Sequence, residues 1–240
     1  MLGLPDGIKA CLFDLDGVLT QTAKVHAKAW KEMFDDFLET QDGQQPFDAH
    51  ADYDEYVDGK PREDGVRDFL KSRGIELPEG EPGDGADQET VNGLGTRKND
   101  IVQRVIERDG VEPYAGSVRY LEAARDAGLR RAVVSSSHNC EAVLKAAGID
   151  HLLEARVDGD TAVEQDLDGK PAPDMFLAGA KAVGVEAAEA AVFEDALVGV
   201  EAGHAGKFGH VVGVDRVGQR DALREHGADV VVDDLDELLG

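Results

Sequence analysis

The chain has 240 residues, 42% of them hydrophobic and 31% charged, with eight prolines, which supplies a sizeable core and excludes a disordered or collagen-like polymer. Fifty acidic residues against 25 basic ones set a formal net charge of −25, so neither nucleic acid nor an anionic membrane is an expected partner. Two cysteines, Cys11 and Cys140, are too few for a disulfide framework and lack zinc-site spacing, which fits a reducing compartment.

At the amino terminus, Asp6, Lys9 and Asp14 interrupt the chain before any long apolar run. No secretory signal or membrane span is expected there, and a cytoplasmic protein is. Ile8 to Phe13 is a short apolar run bounded by polar residues, the pattern of a buried parallel strand. From about Thr20 to Gly95 the rhythm changes, with helical stretches such as Ala23 to Leu38 and Gly65 to Ser72 and no convincing buried strand. This predicts an inserted helical module ending in ELPEGEPGDGADQETVNGLG, Glu76 to Gly95, whose Pro, Gly and acidic content reads as a linker and a candidate hinge. Farther on, apolar runs at Arg131 to Val134, Ala190 to Phe193, Val211 to Val214 and Val230 to Val232 alternate with helical patterns. Those patterns cover Ser117 to Ala127, Asn139 to Ala147, Pro173 to Val183 and Leu197 to Ala205. Such alternation predicts a parallel α/β sheet, with a core from residues 1–20 and 96–240 and a helical cap over 21–95.

Candidate chemistry gathers at the ends of these runs. Asp14 and Asp16, in FDLDGVLT, emerge where the first strand meets a turn at Gly17, which is where open α/β sheets place their sites. One carboxylate can attack phosphorus while the other moves the proton; the same pair also suits a solvated turn. Ser135-Ser136-Ser137-His138-Asn139 follows the second long run and opens a helix. Its hydroxyls and free N–H groups suit a phosphate, although Ser and Asn serve equally as helix caps. Lys170, in GKPAPD, puts a compact charge near a predicted strand end, and Glu194-Asp195 follow the run AAVF directly. Four carboxylates on one edge would repel, and Mg2+, a hard cation that takes oxygen ligands and shares itself with phosphate, would offset the repulsion.

Other residues read as structural. His50, His151, His204, His210 and His226 have no partner at metal-ligand spacing. Asp233-Asp234 suits a helix start, and Trp30 and Phe34 stand at a spacing that favours packing within the cap.

The ordered set Asp14-Leu15-Asp16-Gly17, Ser135, Lys170 and Glu194-Asp195 resembles the haloacid dehalogenase superfamily over nearly the whole chain. Within it, the chain looks like the β-phosphoglucomutase-like branch. DLDGVLTQTAKVHAKAW offers Thr22, His26 and Trp30, DGKPRED offers Gly59, Lys60 and Arg62, and RKND offers Lys98 and Asn99 at a core–cap junction. The resemblance implies a Rossmann-like core with an inserted helical cap, Asp14 as nucleophile and Asp16 as acid/base. It implies one Mg2+ held by Asp14, the Asp16 carbonyl oxygen, Asp195 and, directly or through water, Glu194. Ser135 and Lys170 would hold the transferring group, while Arg62, Ser136, Ser137, His138 and Asn139, with His26, Trp30, Gly59, Lys60 and Lys98, would contact the rest of a small sugar phosphate. The implied activity is phosphoryl transfer between C1 and C6 of β-glucose, with β-glucose 1,6-bisphosphate as intermediate and activator, in a monomer. A phosphatase sharing the same aspartyl-phosphate is the alternative, followed by a non-catalytic sugar-phosphate sensor. Three features depart from the family pattern. His138 replaces a usual lysine, Lys60 replaces a smaller apolar residue, and the Glu76 to Gly95 linker is long.

Overall fold

A computed structural model describes residues 2–58 and 60–240, and the chain divides into two units, Met1–Gln21 with Val111–Gly240 and Thr22–Gly110. The first unit carries one parallel sheet. Its strands are β1 (Ala10–Phe13), β2 (Arg130–Val134), β3 (Ala155–Val157), β4 (Ala190–Glu194), β5 (His210–Val214) and β6 (Val230–Val232), in spatial order β3-β2-β1-β4-β5-β6. Every pairing is parallel. The order reverses at β1, which pairs with β2 on one side and β4 on the other, so a crevice opens at their carboxyl ends.

Burial on both faces explains the continuous apolar runs. Alternate side chains of β1 point opposite ways, and all four residues are fully buried. Leu12, Ala132, Val134 and Val192 share one face with Met175, Phe176 and Ala180 of a helix at Asp174–Ala182. On the other face Phe13 stacks on Phe193 at 4.6 Å and meets Tyr120 edge-on at 6.2 Å. The predicted strands and helices of this unit are present with ends shifted by a residue or two. β3 was not predicted, because three residues with a single strongly apolar side chain leave no readable run.

The second unit is helical, as expected. Among the described residues its α-helices are α1 (Ala23–Leu38), α2 (Arg62–Ser72) and α3 (Val91–Asp109), with a short π-helix at Tyr53–Val57. Phe34, Phe47, Phe69 and Trp30 form its aromatic core, with Phe34 stacked between Trp30 at 5.3 Å and Phe47 at 5.2 Å.

Two expectations about this unit are corrected. The unit ends at Gly110 rather than at residue 95, because α3 runs unbroken through that position and packs against α1 and α2. Nor is Glu76 to Gly95 a free linker, since its last five residues belong to α3, the one before them is the N-cap Thr90, and the rest is tied down. Val91 and Asn92 donate main-chain N–H bonds to Pro78 and Glu79 at 3.0 and 3.1 Å, Arg97 donates to the Ala86 carbonyl at 2.8 Å, and Thr90 caps the helix by accepting from Gly93 N at 2.9 Å. Gly93 and Gly95 read as helix breakers in sequence, yet both serve close approach. A Cβ at Gly93 would lie 2.2 Å from the Gln88 carbonyl, and one at Gly95 would lie 3.1 Å from Arg62 Nε. No described helix is long and apolar enough to cross a membrane.

Candidate active site

The carboxyl ends of β1, β2 and β4 carry Asp14, Ser135 and Glu194 to one edge of the sheet. Asp14 follows β1, only 7% exposed, and its N–H bonds the Phe193 carbonyl at 2.9 Å, which locks the start of the DLDG turn to β4. The turn closes on itself through Gly17 N donating to the Thr20 carbonyl at 2.8 Å and a bridge between Asp16 and Thr20.

Lys170 connects two of the motifs. Its ammonium donates to Asp14 Oδ1 and Glu194 Oε1, each at 2.5 Å, and lies 4.9 Å above the Phe176 ring. No strand ends at Lys170, contrary to expectation. It sits in the loop between helices Gly159–Gln165 and Asp174–Ala182, and the side chain, 1% exposed, reaches the sheet edge near the Val134 carbonyl at 3.4 Å. Burial alone would lower the Lys170 pKa, but the Asp14 and Glu194 charges outweigh it and keep the ammonium protonated. Burial pushes the Asp14 carboxyl well up, and the charges of Glu194 and Asp16 push the same way against the opposing pull of Lys170.

One ammonium therefore faces more negative charge than it can balance. Asp14, Glu194 and Asp195 each offer a carboxylate oxygen, and the three lie within 4.8 Å of one another. An all-oxygen set of this charge fits a hard divalent cation such as Mg2+. Glu194 is already engaged at both oxygens, Oε1 by Lys170 and Oε2 by the Ala196 N–H at 2.9 Å.

Gly17 is part of the same construction. Its φ is +88°, and a Cβ there would sit 1.8 Å from Asp195 Oδ2. Gly17→Ala is therefore expected to displace Asp195, weakening divalent-cation binding by about 10- to 100-fold, with about 1–2 kcal/mol of backbone strain besides. A Mn2+ titration checks this; wild-type affinity in the variant would remove Asp195 from the ligand set.

The serine run after β2 builds the turn ahead of the next helix, whose N-cap Asn139 makes no side-chain cap bond. Ser135, 1% exposed, accepts from Ser137 N at 3.1 Å, and Ser137 Oγ accepts from Asn139 N at 3.1 Å, so the hydroxyls shape the turn into the helix Cys140–Ala147. Accepting these N–H bonds leaves each hydroxyl its proton to donate, as a phosphate oxygen would require. His138 is held by Asp160, Nδ1 to Oδ1 at 2.6 Å.

Residues predicted for substrate contact in the helical unit form a second group. His26 Nδ1 and Lys98 Nζ are 2.8 Å apart, both residues are 7% exposed, and the ammonium lies 4.8 Å above Trp30. Trp30 is 3% exposed and stacked on Phe34, the packing role its spacing predicted. Lys98 and Asn99 lie inside α3, within the helical unit. Arg62 opens α2, donating from Nε and Nη2 to Glu63 Oε1 at 2.9 and 2.7 Å, and Lys60 pairs with Asp68 at 2.6 Å. Gly59 lies outside the described residues. Sequence reasoning passed over Arg216 and Gln219, which bond the backbone of both acidic motifs. Their position after β5, at the same sheet edge, was the available signal.

The family model for haloacid dehalogenase-like hydrolases matches residues 8–207. A β-phosphoglucomutase of Mycobacterium bovis is 56% identical over 247 aligned positions, spanning 100% of this chain and 94% of the relative. A β-phosphoglucomutase of Bacillus subtilis is 33% identical, spanning 96% and 92%. Among solved structures, a β-phosphoglucomutase from Clostridium difficile superposes with a TM-score of 0.76 at 24% identity, covering 96% of this chain and 93% of that one, a likeness of fold.

Proposed function

Starting from the fact that this chain belongs to the haloacid dehalogenase-like hydrolase family, we propose that it moves a phosphoryl group between C1 and C6 of β-glucose. The observation that carries the substrate is the full-length likeness to named β-phosphoglucomutases, since the family membership alone speaks for phosphoryl transfer on an unspecified ester.

In this reading Asp14 attacks phosphorus, forming an aspartyl-phosphate, and β-glucose 1,6-bisphosphate is the sugar intermediate. Its placement supports the role, because Lys170 holds Oδ1 and the Asp14 main chain is bonded to Phe193, which fixes the carboxylate at the sheet edge. Asp16, partly exposed and two residues on, gives the proton to the departing sugar oxygen and takes it from the incoming one. Ser135 and Lys170 donate to the transferring group, and charge neutralisation and alignment supply most of the acceleration. Asp14, the Asp16 carbonyl oxygen, Asp195 and Glu194 would hold Mg2+, which when bound draws charge from the phosphoryl oxygens. The remaining contacts to the sugar phosphate are assigned to Ser136, Ser137, His138 and Asn139, and from the helical unit to His26, Trp30, Gly59, Lys60, Arg62 and Lys98. A cytoplasmic monomer completes the proposal; the buried, unpaired Cys11 and Cys140 fit a reducing compartment.

The test is a coupled assay for glucose 6-phosphate, started from β-glucose 1-phosphate with Mg2+ and a trace of the 1,6-bisphosphate, beside a free-phosphate assay on the same sample. Isomer formation outrunning phosphate release is expected. Phosphate release without isomer would make the protein a sugar-phosphate phosphatase, and absence of turnover with any phosphate ester would indicate a sensor. Arg62→Ala is expected to lower isomerisation roughly 10- to 100-fold, the worth of a lost charged contact, while sparing hydrolysis of a small phosphate ester. Equal loss of both activities would remove Arg62 from the second-phosphate role.

A further inference from the structure

The loop after β5, residues 215–219, reaches back to both acidic motifs through their main-chain carbonyls. Arg216 Nε donates to the Gly17 carbonyl at 2.8 Å, and Gln219 Nε2 donates to the Asp195 carbonyl at 2.9 Å. The loop is stiff where it does this. Asp215 Oδ1 accepts from Gly218 N and Gln219 N at 2.7 and 2.8 Å, and Asp215 N bonds the Val232 carbonyl at 2.8 Å. Gly17 adjoins Asp16 and lies against the Asp195 carboxylate. One short loop thus ties together the backbones that carry the first and last acidic motifs.

Arg216 is a poor device for stability alone. Its guanidinium lies on Tyr114, with Cζ 3.5 Å from the ring centroid, while Nη1 donates to the Asp233 carbonyl at 2.7 Å and approaches Asp234 Oδ2 at 3.3 Å. The side chain is 15% exposed, and Nη2 is buried with no acceptor. A largely desolvated cation with an unsatisfied nitrogen costs free energy. What the arrangement secures is the position of Gly17, since a planar fork held on an aromatic face aims its donors at the Gly17 and Asp233 carbonyls in fixed directions, whereas a lysine offers a point charge on a flexible stem.

We propose that Arg216 and Gln219 are positioning residues for the cation-binding acids, acting through the Gly17 and Asp195 backbones. The inference rests on reading Asp14, Glu194 and Asp195 as a divalent-cation site. Charge and position make opposite predictions at Arg216. Removing a cation beside an acidic cluster tightens cation binding if charge is all that matters, and weakens it if the residue sets the geometry. Gln219 carries no charge, so only the positional effect operates there.

Mn2+ binding, followed by electron paramagnetic resonance on metal-free full-length protein, separates these cases without reference to turnover. Wild type is expected to bind Mn2+, and Arg216→Met and Gln219→Leu to bind it about 10- to 100-fold more weakly. Arg216→Lys should recover only part of the loss, and metal-free melting temperatures should stay within a few degrees of wild type. Tighter binding by Arg216→Met, or unchanged affinity in Gln219→Leu, would overturn the proposal. So would lost affinity accompanied by lost cooperative unfolding in both variants, which would mark a structural role. Failure of the wild type to bind Mn2+ would overturn the cation-site reading itself, an outcome distinct from the others.

Discussion

Asp14→Asn is expected to abolish turnover while leaving a folded protein, with kcat lowered by at least about 10⁴-fold in both the isomer and free-phosphate assays. An amide does not attack phosphorus at neutral pH, and no other described carboxylate takes the same place between β1 and Lys170. The fold should survive because the Asn amide oxygen can still accept from Lys170. Replacing a buried carboxylate by a neutral amide also relieves the burial cost, and after it the repulsion from Glu194 and Asp16, that push the Asp14 pKa up. The melting temperature is therefore expected to stay level or rise. Residual kcat within tenfold of wild type, in protein free of wild-type contamination, would show that Asp14 is not the nucleophile.

The largest stability effect is expected for Lys170→Met. The ammonium is the shared partner of Asp14 and Glu194, and all three side chains are at least nine-tenths buried. Without it, two carboxylates face each other out of water, a change worth about 3–5 kcal/mol. For a chain of this length each kcal/mol moves the midpoint by about 2–4 °C, so a drop of roughly 6–20 °C is expected in metal-free buffer. Saturating Mg2+ should restore part of it, because a cation bound by the folded state alone stabilises that state by mass action. Melting curves with and without Mg2+ measure both effects. A metal-free midpoint within about 3 °C of wild type would mean that the carboxylates share a proton or relax apart and that Lys170 is not their main counter-charge.

Much of the candidate site was legible because its residues are local to recognisable elements. Asp14, Ser135 and Glu194 each stand where an apolar run ends, and burial of the sheet on both faces makes those runs easy to read. Helix α1 was legible for a related reason, its ends and its Trp30–Phe34 spacing agreeing with one buried stripe. Helix α3 was not. Gly93 and Gly95 look like punctuation in sequence, and only the Gln88 carbonyl and Arg62, packed against them, show that both are there to let backbones approach. The supposed hinge was misread in the same way, since the bonds from Val91, Asn92 and Arg97 that pin it run to positions 11 to 13 residues away.

By itself the sequence determined the fold class, the helical insertion and the identity of the acids and serines at the sheet edge, because hydrophobic periodicity and turn chemistry act over a few residues. Only the tertiary structure decided which charges share a proton-donating partner and which loops hold which. Lys170 meets Asp14 across 156 residues of chain and Arg216 meets Gly17 across 199. Contacts of that span leave no local pattern. They are set by the parallel strand order, which brings the carboxyl ends of β1, β4 and β5 side by side, and by burial, which makes an unpaired charge there too costly to leave alone.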